Sequence, residues 1–124
     1  MKTAKDFMDE ANAVVPRISA EEAVAKYNAG TGVWIDVRDS ADIAASGTIK
    51  GAERVPGGFI VFAADESMPF HKSFLTKDAD INLICGAGGQ AAIAGKILHD
   101  MGYKNVTNVG GFKDWKDAGG ATES

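Results

Sequence analysis

The only cysteine of the chain, Cys85, lies between an apolar run and a glycine-rich turn. The apolar run predicts a strand over residues 80–85, and a helical pattern begins at Ala91. Three of the next four residues, at positions 86, 88 and 89, are glycines. They let the backbone turn several amide groups towards one sulfur, with a helix N-terminus behind them. This arrangement favours an anionic sulfur nucleophile that needs no neighbouring base.

The amides of the turn matter because the thiol alone is a weak nucleophile. A free thiol is only a few per cent thiolate at neutral pH. A helix dipole stabilises an anion by roughly 0.3–1 kcal/mol, which is too little for strong activation, so we expect the loop amides to contribute. The alternative is a structural one: a lone cysteine is often a small buried apolar residue, and the glycines could form only a tight connection.

Length and charge exclude several classes of protein. A chain of 124 residues suits one domain with a single core, and its net charge of −4 disfavours nucleic acid and anionic membranes as partners. Its first residues are polar, unlike a secretion signal, and no apolar run reaches membrane-spanning length. One cysteine cannot form an internal disulfide. These observations predict a cytoplasmic protein.

Helices and strands alternate along the chain, which predicts an α/β domain. The predicted helices span residues 3–15, 20–29, 40–45, 58–64 and 91–101, with a last helix after Gly111. The predicted strands span residues 33–37, 54–56, 80–85 and 105–109. Such alternation is typical of a parallel sheet with helices on both faces, whose carboxyl edge binds ligands. Cys85 is therefore expected at the functional edge.

Two local signals refine this organisation. Ser19 and Glu22 have the spacing of a capping box, and Asp36 is a carboxylate inside an otherwise apolar strand. We expect one domain over residues 1–124, in which helix 3–15 extends a core of about 18–120. The tail over residues 118–124 is expected to fray.

The same turn also matches a nucleotide-binding pattern, G-x-G-x-x-A, at Gly86, Gly88 and Ala91. The acidic residue that should follow about 20 positions later is missing, since that region carries Asn105 and Asn108. Too little chain remains to complete a dinucleotide-binding sheet. This interpretation is therefore disfavoured.

Five segments in order resemble the single-domain rhodaneses, a family of sulfurtransferases. They are residues 34–38 (WIDVR), 47–56 (GTIKGAERVP), 85–91 (CGAGGQA), 102–106 (GYKNV) and 109–115 (VGGFKDW). Each motif is modest alone, but five in sequence are specific. The resemblance covers residues 18 to 120, most of the chain.

The resemblance implies a rhodanese-like α/β fold with about five parallel strands flanked by helices. It also implies that Cys85 accepts a sulfane sulfur as a persulfide and passes it to cyanide or a thiol. In the family the loop cradles the persulfide, which here involves the amides of Gly86, Ala87, Gly88, Gly89, Gln90 and Ala91. Asp36 and Arg38 would brace the neighbouring strand end, or form a purely structural ion pair. No metal or organic cofactor is implied.

The chain departs from the family pattern in its loop. Gln90 stands where many members have arginine, so it cannot supply a fixed cation for thiosulfate. Losing such a contact costs about 1.5–3 kcal/mol, or one to two decades in rate. Thiosulfate is therefore expected to be a poor donor. His71 and Lys72, in the loop before the active strand, are candidate substitutes for the cation; otherwise they are ordinary solvated residues.

Three functions remain open from the sequence. The first is a sulfurtransferase that takes sulfur from thiosulfate or a persulfide and gives it to cyanide, a small thiol or a protein acceptor. The second is a catalytically weak binding or sulfur-sensing module of the same fold. The third, phosphatase or arsenate reductase chemistry, is disfavoured because Gln90 leaves an oxyanion without a clamp.

Overall fold

Four parallel strands form the central sheet of the computed structural model, which describes residues 1–124. Their order is β3-β1-β4-β5. The sheet strands are β1 (Val33–Asp36), β3 (Glu53–Arg54), β4 (Asp80–Cys85) and β5 (Asn105–Gly111). A separate antiparallel pair joins β2 (Thr48–Ile49) to β6 (Thr122–Glu123). The predicted parallel α/β sheet is confirmed.

Six α-helices surround the sheet, and none combines the length and apolar character that a membrane crossing requires. They are α1 (Ala4–Val14), α2 (Ala20–Asn28), α3 (Ser40–Ser46), α4 (Ile60–Ala63), α5 (Gly89–Asp100) and α6 (Phe112–Asp117). A 3₁₀ turn, Gly57–Phe59, runs directly into α4. The capping box predicted at Ser19 and Glu22 is present at the start of α2.

Alternating side chains of the strands feed two separate cores, as a sheet covered on both faces requires. On one face Ile35, Leu83 and Cys85 pack with residues of α4 and α5. On the other face Trp34 and Ile84 pack with residues of α2 and α6, among them Trp115. Cys85 therefore projects towards α5, the helix that follows its own loop.

The expected fifth strand is reduced to a single residue. Arg17 forms one isolated parallel bridge with Asn108, beyond the β5 edge of the sheet. Around it Asn108 N–H donates to the Pro16 carbonyl at 2.8 Å, and Ile18 N–H donates to Asn108 at 3.1 Å. Only a few residues separate α1 from α2, so there is no chain left for a longer strand.

The prediction of a frayed tail is wrong. Residues Thr122–Glu123 pair with Thr48–Ile49, and the indole N–H of Trp115 donates to the Ala121 carbonyl at 3.0 Å. The tail thus closes over Trp115, which is completely buried. Backbone pairing and one buried side chain order a segment whose composition is typical of a loose end.

Candidate active site

The sulfur of Cys85 lies at the carboxyl end of β4, where the main chain turns back towards α5. The residue is 1% exposed. Its Sγ accepts two backbone hydrogen bonds, from Gly88 N–H at 3.0 Å and from Ala91 N–H at 3.2 Å. The structure thus brings the thiol together with two amides of the glycine-rich turn.

The sulfur takes the place of a capping side chain for α5. Gly88 is the N-cap of this helix and has no side chain to satisfy the first amides, while its φ of +104° favours glycine. A capping oxygen normally accepts from the second or third helical residue. Here Cys85 Sγ accepts from Ala91, the third residue of the helix. The sulfur is therefore held at the positive end of the helix dipole.

Two side chains that the sequence reasoning missed hold the outer wall of the loop. Asn108, completely buried in β5, donates to the Gly88 carbonyl at 2.8 Å and accepts from Gly110 N–H at 2.8 Å. Arg17 donates to the Ala87 carbonyl at 3.2 Å. By binding these carbonyls from outside, they leave the loop amides turned inward. The sequence carries no clear signal for either residue, since Asn108 follows Thr107 in a strand of mixed polarity.

Asp36 and Arg38 form a buried ion pair at the end of the neighbouring strand β1, with Nη2 2.7 Å from Oδ2. Asp36 is fully buried and also accepts from the Thr48 hydroxyl at 2.7 Å. Arg38 donates further to Ser46 Oγ and to the Gly47 carbonyl, each at 2.8 Å. The pair therefore joins β1 to α3 and β2. Thr48 is part of this network.

The remaining candidate residues lie around or away from the loop. Gly86, Ala87 and Gln90 are exposed, and the Gln90 side chain lies beside Gly57. His71 Nε2 is 3.0 Å from the Leu75 carbonyl oxygen, within its own loop.

Lys72 is exposed and its backbone N–H donates to Ala63. Neither His71 nor Lys72 belongs to the hydrogen-bond network of the Cys85 loop, and their role stays a prediction.

The loop is charge-free and carries no metal ligands beyond the thiol. Residues 86–91 contain no lysine, arginine or histidine. No group of three or more His, Cys, Asp or Glu side chains in the chain is arranged to hold a metal ion. Within residues 86–91, backbone dipoles are therefore the source of positive potential at the sulfur, and the Arg17 guanidinium lies on the outer side of the loop.

The fold and the site define a class of protein: an α/β domain with one cysteine in an amide-lined loop after a central strand. Comparison with known proteins places the chain in the same class. The family model for the rhodanese-like domain matches residues 19–118. The chain belongs to this family.

Similar proteins include a sulfurtransferase. The thiosulfate sulfurtransferase PspE of Escherichia coli is 32% identical over 81 residues, which is 65% of this chain and 71% of PspE. A solved rhodanese with anions from E. coli is 32% identical, with a TM-score of 0.54 over 66% of this chain and 88% of its own.

A third relative matches nearly the whole chain. It is a protein of unknown function from Rhodopseudomonas palustris, described as a possible tyrosine phosphatase. The two share 33% identity with a TM-score of 0.92, over 99% of this chain and 96% of the other.

Proposed function

We propose that the protein is a sulfurtransferase in which Cys85 carries the sulfur as a persulfide. The observation that carries the proposal is the convergence of Gly88 N–H and Ala91 N–H on the Cys85 sulfur, at 3.0 and 3.2 Å. These donors are fixed in the folded chain, so they stabilise negative charge on sulfur without reorganising. The relationship to a thiosulfate sulfurtransferase supports the same chemistry.

Two displacements at sulfur make up the proposed cycle. In the first, the Cys85 thiolate attacks the outer sulfur of the donor. The sulfur–sulfur bond of the donor breaks, and its electron pair leaves with the donor. In the second, an acceptor such as cyanide or a thiolate attacks the outer sulfur of the persulfide. The bond to Cys85 breaks, its electron pair returns to Cys85, and no other reactant is needed.

The outer sulfur of the persulfide needs its own hydrogen-bond donors, and the backbone amides in the first turn of α5 supply them. The first amides of a helix have no partner within that helix. Ala91 N–H already donates to the Cys85 sulfur, whereas Gly89 and Gln90 lie before it in the same turn. We assign their amides to the terminal sulfur of the persulfide.

The donor class follows from the charge of the loop. Thiosulfate is a dianion, and residues 86–91 hold no cation to receive it. An organic persulfide carries its transferable sulfur with less charge and relies more on the amides. We therefore propose an organic persulfide as the better donor and thiosulfate as the poorer one.

Phosphatase chemistry deserves comparison because the R. palustris relative is described as a possible tyrosine phosphatase. Phosphoryl transfer spreads negative charge over three equatorial oxygens, and enzymes stabilise it with arginine, lysine or metal clamps. The loop after Cys85 contains none of these side chains. Sulfur transfer requires only the amides, so it is the function that the site supports better.

Steady-state kinetics with glutathione persulfide and cyanide test the proposal. We expect thiocyanate formation with parallel double-reciprocal lines, the pattern of a ping-pong cycle, and no turnover for Cys85→Ser. Serine keeps an acceptor for the amides of α5, so this variant should fold. A persulfide that forms but is never passed on would instead indicate a sulfur-sensing module.

A further inference from the structure

A cavity of about 370 Å³ opens beside the Cys85 loop, within the size range of small-molecule sites. Gly86, the residue after the nucleophile, forms part of its wall. Arg38, Phe112, Lys113, Lys116 and Asp117 also line the cavity. Phe112 is the one hydrophobic residue of the lining, so the cavity is suited to a polar ligand.

The topology keeps this cavity next to the nucleophile. Cys85 is paired with Gly111 across the sheet, and α6 begins at the following residue, Phe112. A Cβ on Gly111 would collide with the carbonyl oxygen of Gly86, so the two backbones are in close contact. Lys113 and Lys116 are three residues apart on α6, which places them on one face of the helix.

Two cations converge on the ring of Phe112. Arg38 Cζ lies 4.7 Å from the ring centroid, and Lys116 Nζ lies 5.9 Å from it. The charge of Arg38 is balanced by Asp36, whereas Lys116 forms no ion pair. Lys116 is therefore a free positive charge at the cavity.

Arg38 also has one N–H group without a hydrogen-bond partner. A guanidinium group carries five N–H donors. Nε and Nη2 are directed at Asp36 and the Gly47 carbonyl, and Nη1 makes a single bond, to Ser46. Arg38 is 6% exposed and lines the cavity, and the second hydrogen of Nη1 has no acceptor within the protein.

One ammonium group and one N–H donor match the two oxygens of a single carboxylate. A third element sets an upper limit on the charge of the ligand. Asp117, which pairs with Lys113 at 2.8 Å, adds a negative group to the same wall and opposes a dianion. The lining therefore favours a monocarboxylate over a phosphate.

We propose that this cavity binds the carboxylate of a low-molecular-weight thiol, the acceptor of the sulfur carried by Cys85. The inference rests on the proposed sulfurtransferase function. The acceptor thiolate attacks the outer sulfur of the persulfide, the bond to Cys85 breaks, and Cys85 keeps the electron pair. Lys116 and Arg38 hold the carboxylate while the thiol reaches past Gly86.

The test uses three acceptors of similar size and different charge: 3-mercaptopropionate, 2-mercaptoethanol and cysteamine. The protein is first converted to the persulfide with glutathione persulfide and freed of donor. The rate of sulfur loss is then followed for each thiol by intact mass spectrometry. Wild-type protein is compared with Lys116→Gln and with Lys104→Gln, an exposed lysine just before β5, at the opposite end of that strand from α6. Comparing variant with wild type cancels the intrinsic reactivity of each thiol.

For Lys116→Gln we expect 3-mercaptopropionate to react about three- to fivefold more slowly. This fold-change corresponds to the free energy that an exposed ion pair contributes. 2-Mercaptoethanol should be unaffected and cysteamine faster. Lys104→Gln should change none of the three rates, and high salt should remove the difference between Lys116→Gln and wild type.

Equal changes for all three thiols, or none, would overturn the carboxylate subsite while leaving the sulfurtransferase intact. Failure of the wild-type protein to form the persulfide would overturn the sulfurtransferase itself, and the subsite with it.

Discussion

The guanidinium group of Arg17 lies directly against the Cα atom of Gly88, on the outer side of the Cys85 loop. A Cβ at position 88 would collide with this group, and the φ of +104° is one that other residues rarely adopt. Gly88 N–H is also one of the two donors to the Cys85 sulfur. Because position 88 has no side chain, the loop can pack against Arg17 and still direct the Gly88 amide at the Cys85 sulfur.

We expect Gly88→Ala to slow persulfide formation by at least tenfold and to lower the free energy of unfolding by about 1–3 kcal/mol. The strained φ and the contact with Arg17 would both displace the amide from the sulfur. The matched control is Gly58→Ala, where φ is not positive and the added Cβ meets no atom within 4 Å. Stopped-flow loading and denaturant unfolding measure the two effects. A Gly88→Ala protein that loads like wild type would refute the role of this amide.

Gln90→Arg should improve thiosulfate as a donor by about ten- to a hundredfold, because it adds a charged contact to the dianion. Gln90 is exposed, so the longer side chain can be accommodated. Loading from glutathione persulfide should change much less. Gln90→Met, which replaces the amide by an uncharged side chain of similar length, is the control. An equal gain with both donors would show that charge at position 90 does not set donor choice.

The buried network of Asp36, Arg38 and Thr48 at the end of β1 should contribute strongly to the free energy of unfolding. Asp36→Asn leaves the buried Arg38 without its counter-charge, and we expect a loss of about 3–5 kcal/mol in the free energy of unfolding. Thr48→Val removes one neutral donor to Asp36 and should cost about 1–3 kcal/mol. Urea unfolding distinguishes the two variants. Equal losses would contradict the view that the ion pair dominates this network.

Alkaline pH should destabilise the fold through Tyr103. Burial raises the pKa of this tyrosine, with a further contribution from Glu66 and Asp65, and its hydroxyl donates to the carbonyls of Ala64 and Leu75. The folded protein therefore keeps its proton at a pH where the unfolded chain has lost it. This stabilisation is complete below pH ~10, the ordinary tyrosine value, and is lost as pH rises through the higher folded-state pKa.

Tyr103→Phe tests this pH dependence directly. It should remove part of the fall in unfolding free energy above pH ~10, at a cost of about 1 kcal/mol at neutral pH. Urea unfolding at several pH values provides both numbers. An unchanged alkaline slope would mean that other groups cause the loss.

Most of the helices and strands could be predicted from the sequence, because the signals for them are local. These signals are the apolar periodicity, the capping box at Ser19 and the glycines after Cys85. The order of elements and the position of Cys85 at the carboxyl edge follow from them. The loop wall could not be predicted, since Arg17 and Asn108 reach Ala87 and Gly88 from distant parts of the chain. These contacts exist only after the strands have paired.

The ordered tail and the shortened fifth strand have the same origin. The polar and small residues around Thr122 predict a frayed tail, yet the segment is ordered by pairing with Ile49. The fifth strand that the resemblance implies is reduced to one residue, Arg17, because α1 and α2 leave no room for more. Composition predicts local preference, whereas pairing partners are a property of the whole fold.

Intact mass spectrometry of the reduced protein after exposure to glutathione persulfide tests the central claim most directly. We predict one added sulfur atom on the wild-type chain, removable by cyanide and absent from Cys85→Ser, with less addition from thiosulfate. Addition that persists in Cys85→Ser, or no addition from either donor, would contradict a persulfide on Cys85 and the sulfurtransferase function with it.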